Sequence, residues 1–173
     1  MKNIAINNLK YTGIVTLSQY IGQKKVKIAQ VHNTGGDSLF NFFASSLIGD
    51  FTMAKALRPT KIMLLKQTNT PENPIYETTD NADFYYLLTR PEKITSAGLS
   101  RLKYSFLIPK QDVDRLDFEK LCVGLYADAA TTGDPGNYAA VCNLGISKNN
   151  VVSASLVVDW ELIISNMITS EQN

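Results

Sequence analysis

Ser155-Leu156-Val157-Val158-Asp159-Trp160-Glu161-Leu162-Ile163-Ile164-Ser165 is the stretch that decides the fold. Successive side chains of an extended chain point to opposite faces, so Leu156, Val158, Trp160, Leu162 and Ile164 share one face. Asp159 and Glu161 stand on the other, between Val157 and Ile163. A helix would scatter those five residues around its axis, whereas a long strand lays them on a core. The reading is a strand with one face buried.

The same alternation recurs upstream. Residues 12–18 (TGIVTLS) and 25–31 (KVKIAQV) read as two strands separated by Gly22. Residues 60–65 (TKIMLL) follow Arg58-Pro59 and read as a third strand, more deeply buried because its apolar run is continuous. Residues 82–88 (ADFYYLL) and 101–108 (RLKYSFLI) are aromatic-rich strands. Between residues 37 and 48 the period changes. Leu39, Phe40, Phe43 and Leu47 recur at helical spacing, Asp37 or Ser38 offers an N-cap, and Gly49 stands where a left-handed cap would end the helix. One amphipathic helix lying on the sheet is expected there.

The connections are short. Residues 68–74 (TNTPENP) are turn-rich and unfit for a central strand, and Lys148-Asn149-Asn150 reads as a tight hairpin turn. Strands at such spacing predict a mainly β chain: a β-sandwich, jelly-roll-like, with one amphipathic helix near residues 37–48. Residues 1–173 are expected to form a single sandwich domain with short polar tails at both ends.

Composition bounds the function. With 45% hydrophobic residues the 173-residue chain can bury a proper core, and a net charge of +1 supplies no long-range field for nucleic acid or an anionic membrane. No apolar run approaches a membrane span, and residues 1–4 lack the layout of a signal peptide. Cys122 and Cys142 frame two strand-like stretches around Thr132. A hairpin there would set them roughly opposite each other, but free, buried thiols in a reducing compartment are the simpler expectation.

Sites for chemistry are few. His32 would be the general base of a hydrolase, with Asp37 as its orienter and a serine as nucleophile. No GxSxG turn supplies that serine, so a local role in shaping the strand-to-helix turn is favoured. Gly35-Gly36 before a helix would suit an anion, yet no lysine follows and Asp37 would repel phosphate. Asp112, Asp114, Asp117 and Glu119 lack the glycine and glutamate spacing of a calcium loop, and Arg115 sits among them. They read as a solvated loop or short helical turn. Tyr85 and the pair Phe84/Tyr86 cannot share one strand face, so most of the aromatics Phe84, Tyr85, Tyr86, Tyr104, Phe106 and Tyr126 are assigned to core rather than to a stacking platform. Lys24, Lys25 and Lys27 read as guards of an edge strand. No metal, cofactor or catalytic residue is assigned. A small-molecule ligand is not expected.

Gly13-Ile14-Val15-Thr16-Leu17, His32-Asn33-Thr34-Gly35-Gly36, Leu39-Phe40-Asn41-Phe42, Leu47-Ile48-Gly49-Asp50, Arg58-Pro59-Thr60-Lys61-Ile62-Met63-Leu64-Leu65 and the closing Val158-Asp159-Trp160-Glu161-Leu162-Ile163-Ile164-Ser165-Asn166 together resemble small virion proteins of tailed bacteriophages, of the type of the phages of gut Bacteroidetes, including the crAss-like group. The resemblance is looser between residues 66 and 157 and defines no site residues. It implies a non-enzymatic β-sandwich subunit of the virion, an auxiliary or decoration capsid protein or a head–neck protein, assembled in the host bacterial cytoplasm. Its partners would be major capsid, portal or neck subunits and copies of itself, with no nucleic acid and no membrane. The loops expected to reach those partners are Pro71, Glu72, Asn73 and Pro74, and Gly133, Asp134, Pro135 and Gly136. A second reading is an adhesive or carbohydrate-binding sandwich using Tyr85, Tyr86, Tyr104 or the loop between Thr131 and Tyr138. A third is the His32 hydrolase.

Overall fold

A computed structural model of the chain describes residues 9–33, 37–68, 75–79, 83–88, 90–96, 99–133 and 138–166. Among them the elements are, in chain order, β1 (Leu9–Ile21), β2 (Lys24–Asn33), α1 (Asp37–Ile48), α2 (Phe51–Leu57), β3 (Pro59–Gln67), β4 (Tyr76–Thr78), β5 (Tyr85–Tyr86), β6 (Glu92–Ser96), β7 (Leu99–Ile108), α3 (Lys110–Arg115), β8 (Leu121–Ala127), β9 (Tyr138–Asn143) and β10 (Leu156–Asn166). They build a β-sandwich of two antiparallel sheets. One runs β2-β1-β10-β7-β6; the other runs β4-β3-β8-β9, with β5 pairing the same edge of β3 as β4.

The alternating stretch at residues 155–165 is β10, in the middle of the first sheet. Its inner face packs in rows. Leu156 lies between Gln19 and Ile108, Val158 between Leu17 and Phe106, Trp160 between Val15 and Tyr104, and Leu162 between Gly13 and Leu102. Leu156, Val158 and Trp160 are wholly buried, as are Val15, Leu17 and Phe106. Facing them across the sandwich are Ile62 and Leu64 of β3 and Val123 and Leu125 of β8. The chain crosses between the sheets four times, after β2, β5, β7 and β9. First and last strands lie side by side, the closure of a jelly-roll-like winding, while the hairpins β1–β2, β6–β7 and β8–β9 stay within one sheet.

Gly13 holds a close approach open. A Cβ on it would lie 2.5 Å from Asn33 Oδ1 and 3.1 Å from Trp160 Nε1. The space it leaves admits the Asn33 amide, whose Nδ2 donates to the Val141 carbonyl at 2.6 Å and ties edge strand β2 to edge strand β9 of the other sheet.

The outer faces differ. On the first sheet, Asp159 is buried beneath Lys25 of β2, which reaches over β1 to it at 2.7 Å. The Ser105 hydroxyl donates to its other oxygen at 2.7 Å, and Lys103 stands at 3.6 Å. Burial alone would raise the Asp159 pKa. The hydrogen bonds from Lys25 and Ser105 and the charges of Lys25 and Lys103 outweigh it and hold the carboxyl below its ordinary value. On the second sheet the outer face is a smaller core of Met63, Leu65, Cys122 and Tyr126, with Tyr76, Phe84, Ala130 and Tyr138 packed on it. This is why β3 and β8 are buried on both faces and read as continuous apolar runs. Lys61 belongs to this side, its ammonium bonded to the Ala130 carbonyl and 4.8 Å above the Phe84 ring.

Several expectations are corrected. Residues 82–88 are not a full strand: only Tyr85 and Tyr86 pair with β3, and Leu87 makes an isolated bridge to Phe106. Lys148–Asn150 is no hairpin. It is one 3₁₀ turn, capped by reciprocal Ser147 and Asn150 hydrogen bonds, inside the crossover from β9 to β10. Instead of one helix there are three among the described residues. In α1 the expected sheet contacts hold for Leu39 and Phe43 but fail for Leu47, which is 73% exposed because the helix runs past the sheet edge into α2. Gly49 does adopt the left-handed conformation, φ 81°, and Gly22 does so at the β1–β2 turn, φ 62°. The side chains of Asp37, Ser38 and Phe40 lie outside the described residues.

Two predictions follow from the core and its outer charge. Trp160→Ala is expected to destabilise by about 3–5 kcal/mol, a fall of roughly 6–20 °C in melting midpoint; an unchanged midpoint by calorimetry would refute the burial. For Asp159, a lowered folded pKa means its contribution is present above the ordinary carboxylate value, about 3.9, and is lost as pH falls through the folded value. Asp159→Asn is therefore expected to cost about 1–2 kcal/mol near pH 7, limited by solvent around Lys25. Its midpoint should approach wild type only as pH falls through that lowered folded value. A gap that does not vary with pH would contradict the ion cluster.

Candidate interaction surface

Of the residues named for hydrolysis, His32 is described, whereas the side chain of Asp37 lies outside the described residues. His32, near the end of β2, is exposed at an open groove of about 410 Å³ between the edges of β2 and β9, with Thr12, Asn33, Cys142 and Asn143 around it. Among the described residues, those that line this groove include no carboxylate. Burial pushes the Cys142 thiol up to about 11, which keeps it protonated near neutrality and without nucleophilic power. Gly35 and Gly36 lie outside the described residues.

The cysteines are both free and buried. Cys142 is opposite Val123, and Cys122 is opposite Asn143. That one-residue offset sends Cys142 to the main core and Cys122 to the outer core. Burial, helped by the neighbouring Cys142, pushes Cys122 up to about 12.

The acidic cluster, read as a solvated loop or short helical turn, is divided between the two, with Asp117 and Glu119 in the irregular stretch after α3. Asp112 and Asp114 lie on α3, where Lys110 pairs with Asp114 at 2.7 Å and Arg115 with Asp112 at 4.0 Å. Among the described residues no group of three or more His, Cys, Asp or Glu side chains stands ready for a metal ion. No helix among them is long and apolar enough to cross a membrane.

The aromatics divide by face. Tyr104, Phe106 and Tyr126 are buried, Tyr85 is 6% exposed, and Tyr86 alone of the named tyrosines is largely in solvent. Burial first, then the Asp112 carboxylate, pushes Tyr85 up to about 12. Of the loops expected to meet partners, Pro71, Glu72, Asn73, Pro74, Asp134, Pro135 and Gly136 lie outside the described residues. Gly133 is half-buried. Its carbonyl accepts the Tyr126 hydroxyl at 3.3 Å, and a Cβ there would strike Met63 Sδ at 2.0 Å.

What the sequence reading missed is the tip of the helical pair. Asp50 caps α2, its Oδ1 accepting the Met53 N–H at 3.0 Å, and α2 folds back against α1. At the bend Leu47, Ile48, Phe51 and Met53 are 73%, 80%, 76% and 48% exposed. The legible signal was Asp50 three residues before Met53, straight after the left-handed Gly49. Four large apolar side chains within seven residues of one bend are thus left largely in solvent.

Neither thiol is expected to react with a small disulfide reagent near neutral pH in the folded protein, and both should react in denaturant. Prompt labelling of either in the native state would contradict their burial.

Neither a protein-family model, nor a curated protein, nor a solved structure matches this chain.

Proposed function

We propose that the chain is a non-enzymatic structural subunit of a tailed-phage virion, an auxiliary or decoration protein of the capsid or a head–neck protein. It acts through contacts with major capsid, portal or neck subunits and with copies of itself, and is assembled in the bacterial cytoplasm before incorporation into the particle. The observation that carries the reading is the apolar tip at Leu47, Ile48, Phe51 and Met53, a surface suited to another protein and exposed on this one. The sequence resemblance of residues 13–65 and 158–166 supplies the virion context.

The test is the composition of purified phage particles together with the mass of the chain mixed with major capsid, portal and neck proteins. The chain is expected in gradient-purified particles at fixed stoichiometry, and as a defined complex with one of those proteins. Its absence from the particles, with no complex formed, would overturn the reading.

A further inference from the structure

We infer that the second half of β2, residues 29–33, is a lid that hinges at Ile28 and opens one side of the sandwich while the rest stays folded. The inference goes beyond the subunit reading above and does not depend on it. The hinge is a break in the ladder. β1 and β2 pair from Ile21 with Lys24 to Ser18 with Lys27, and again from Leu17 with Ala29 to Gly13 with Asn33, which leaves Ile28 unmatched between two short ladders. The two halves are fastened differently. The first carries Lys25, ion-paired to Asp159 at 2.7 Å. The second has β1 as its only ladder partner, and among the described residues one hydrogen bond joins it to the other sheet, from Asn33 Nδ2 to the Val141 carbonyl.

Little apolar surface holds the lid down. Ala29 and Val31 face inward opposite Leu17 and Val15, yet they are half-buried where Leu17 and Val15 are wholly so. Under the end of the lid two buried polar atoms, Asn33 Oδ1 and Trp160 Nε1, have no hydrogen-bond partner among the described residues. They stand 2.5 and 3.1 Å from where a Cβ on Gly13 would lie. A buried donor or acceptor left unpaired costs free energy that water repays on exposure, so both atoms lower the cost of opening this end. Turning the Asn33 amide round gives no relief, because its oxygen would then meet the Val141 carbonyl. The groove of about 410 Å³ already parts the lid from β9, with Val31, His32 and Asn33 on one wall and Val141, Cys142 and Asn143 on the other. Opening widens that groove into a slot between the sheets and bares Cys142, against whose core the closed lid packs Ala29 and Val31.

The chain carries its own reporters. Its single tryptophan has its indole N–H under the lid, Cys142 lines the groove, and Cys122 lies in the outer core away from it. The experiment follows alkylation of each cysteine by iodoacetamide and solvent exchange of the Trp160 indole proton, in the full chain under native conditions. In wild type the indole proton is expected to exchange faster than global unfolding allows, and Cys142 to be alkylated over hours, well ahead of Cys122. Asn33→Ala, which removes the clasp, is expected to speed both the indole and Cys142 by about tenfold and to leave Cys122 unchanged. Lys25→Ala, in the other half of β2, is expected to leave all three rates as in wild type. An indole proton that exchanges only with global unfolding overturns the inference, as does an Asn33→Ala chain no faster than wild type at Cys142, one in which both thiols speed up together, or a Lys25→Ala chain that opens as readily. Should Asn33→Ala fail to fold, the wild-type indole rate against global unfolding still decides. The subunit reading fails separately, through absence from particles.

Discussion

Everything in the first sheet depends on β10 being inserted between β1 and β7. Its inner face supplies the middle member of each row of the core, Gln19–Leu156–Ile108 through Gly13–Leu162–Leu102, and without it β1 and β7 have no common neighbour. The strand that completes the sheet is the last one among the described residues. Its partners begin at Leu9 and Leu99, so the core closes by pairings of long sequence separation, which are slow to form and costly to leave half made. The weight of apolar residues in β10 answers that cost. Leu156, Val158, Trp160 and Leu162 each gain burial only when the pairing forms, so the strand cannot dock part-way at a profitable stage.

The opposite face of β10 carries the specificity that hydrophobic rows lack. Leucine and valine rows would tolerate a slip of two residues with little change of character. A slip in either direction would part Asp159 from Ser105 and break its joint pairing with Lys25 and Lys103, which flank it in the native register. Gly13 works the same way from the inner side: any register that placed a side chain there would strike Asn33 and the indole of Trp160. One charged residue and one glycine thus hold the register that four apolar residues stabilise.

Much of this was legible. Alternation in residues 155–165, 12–18 and 25–31 named β10, β1 and the edge strand β2, the apolar run at 60–65 named a more deeply buried strand, and helical spacing at 37–48 named α1. These signals survive because each is a long repeat written in the element's own residues. What escaped is what depends on residues elsewhere. Seven-residue α2 is too short for its period to show, and is fixed by Asp50 and by packing on α1. At residues 82–88 the aromatic composition favours a strand, yet β4 already occupies part of the same edge of β3, so only Tyr85 and Tyr86 find partners there. The cysteines were brought to neighbouring strands correctly. Their faces turned on a single residue of register, which no reading of hairpin length could fix across a loop of this size.

The helix tip shows the limit most clearly. Leu39, Phe43 and Leu47 form one apolar stripe, and periodicity treats them as equals. In the fold the stripe is divided: its first two members enter the core while Leu47 continues past the sheet edge, to be joined by Ile48, Phe51 and Met53 from the bend. A hydrophobic pattern records that a surface is meant to be covered. It does not record whether the cover is the chain's own sheet or another molecule. Here the sheet covers the first half only, and the chain does not shield the rest with the charged residues that keep a solvent-facing helix soluble. An apolar stripe that outruns its own core is therefore informative in a way that its periodicity alone is not: Leu47 shares the spacing of Leu39 and Phe43 but not their burial.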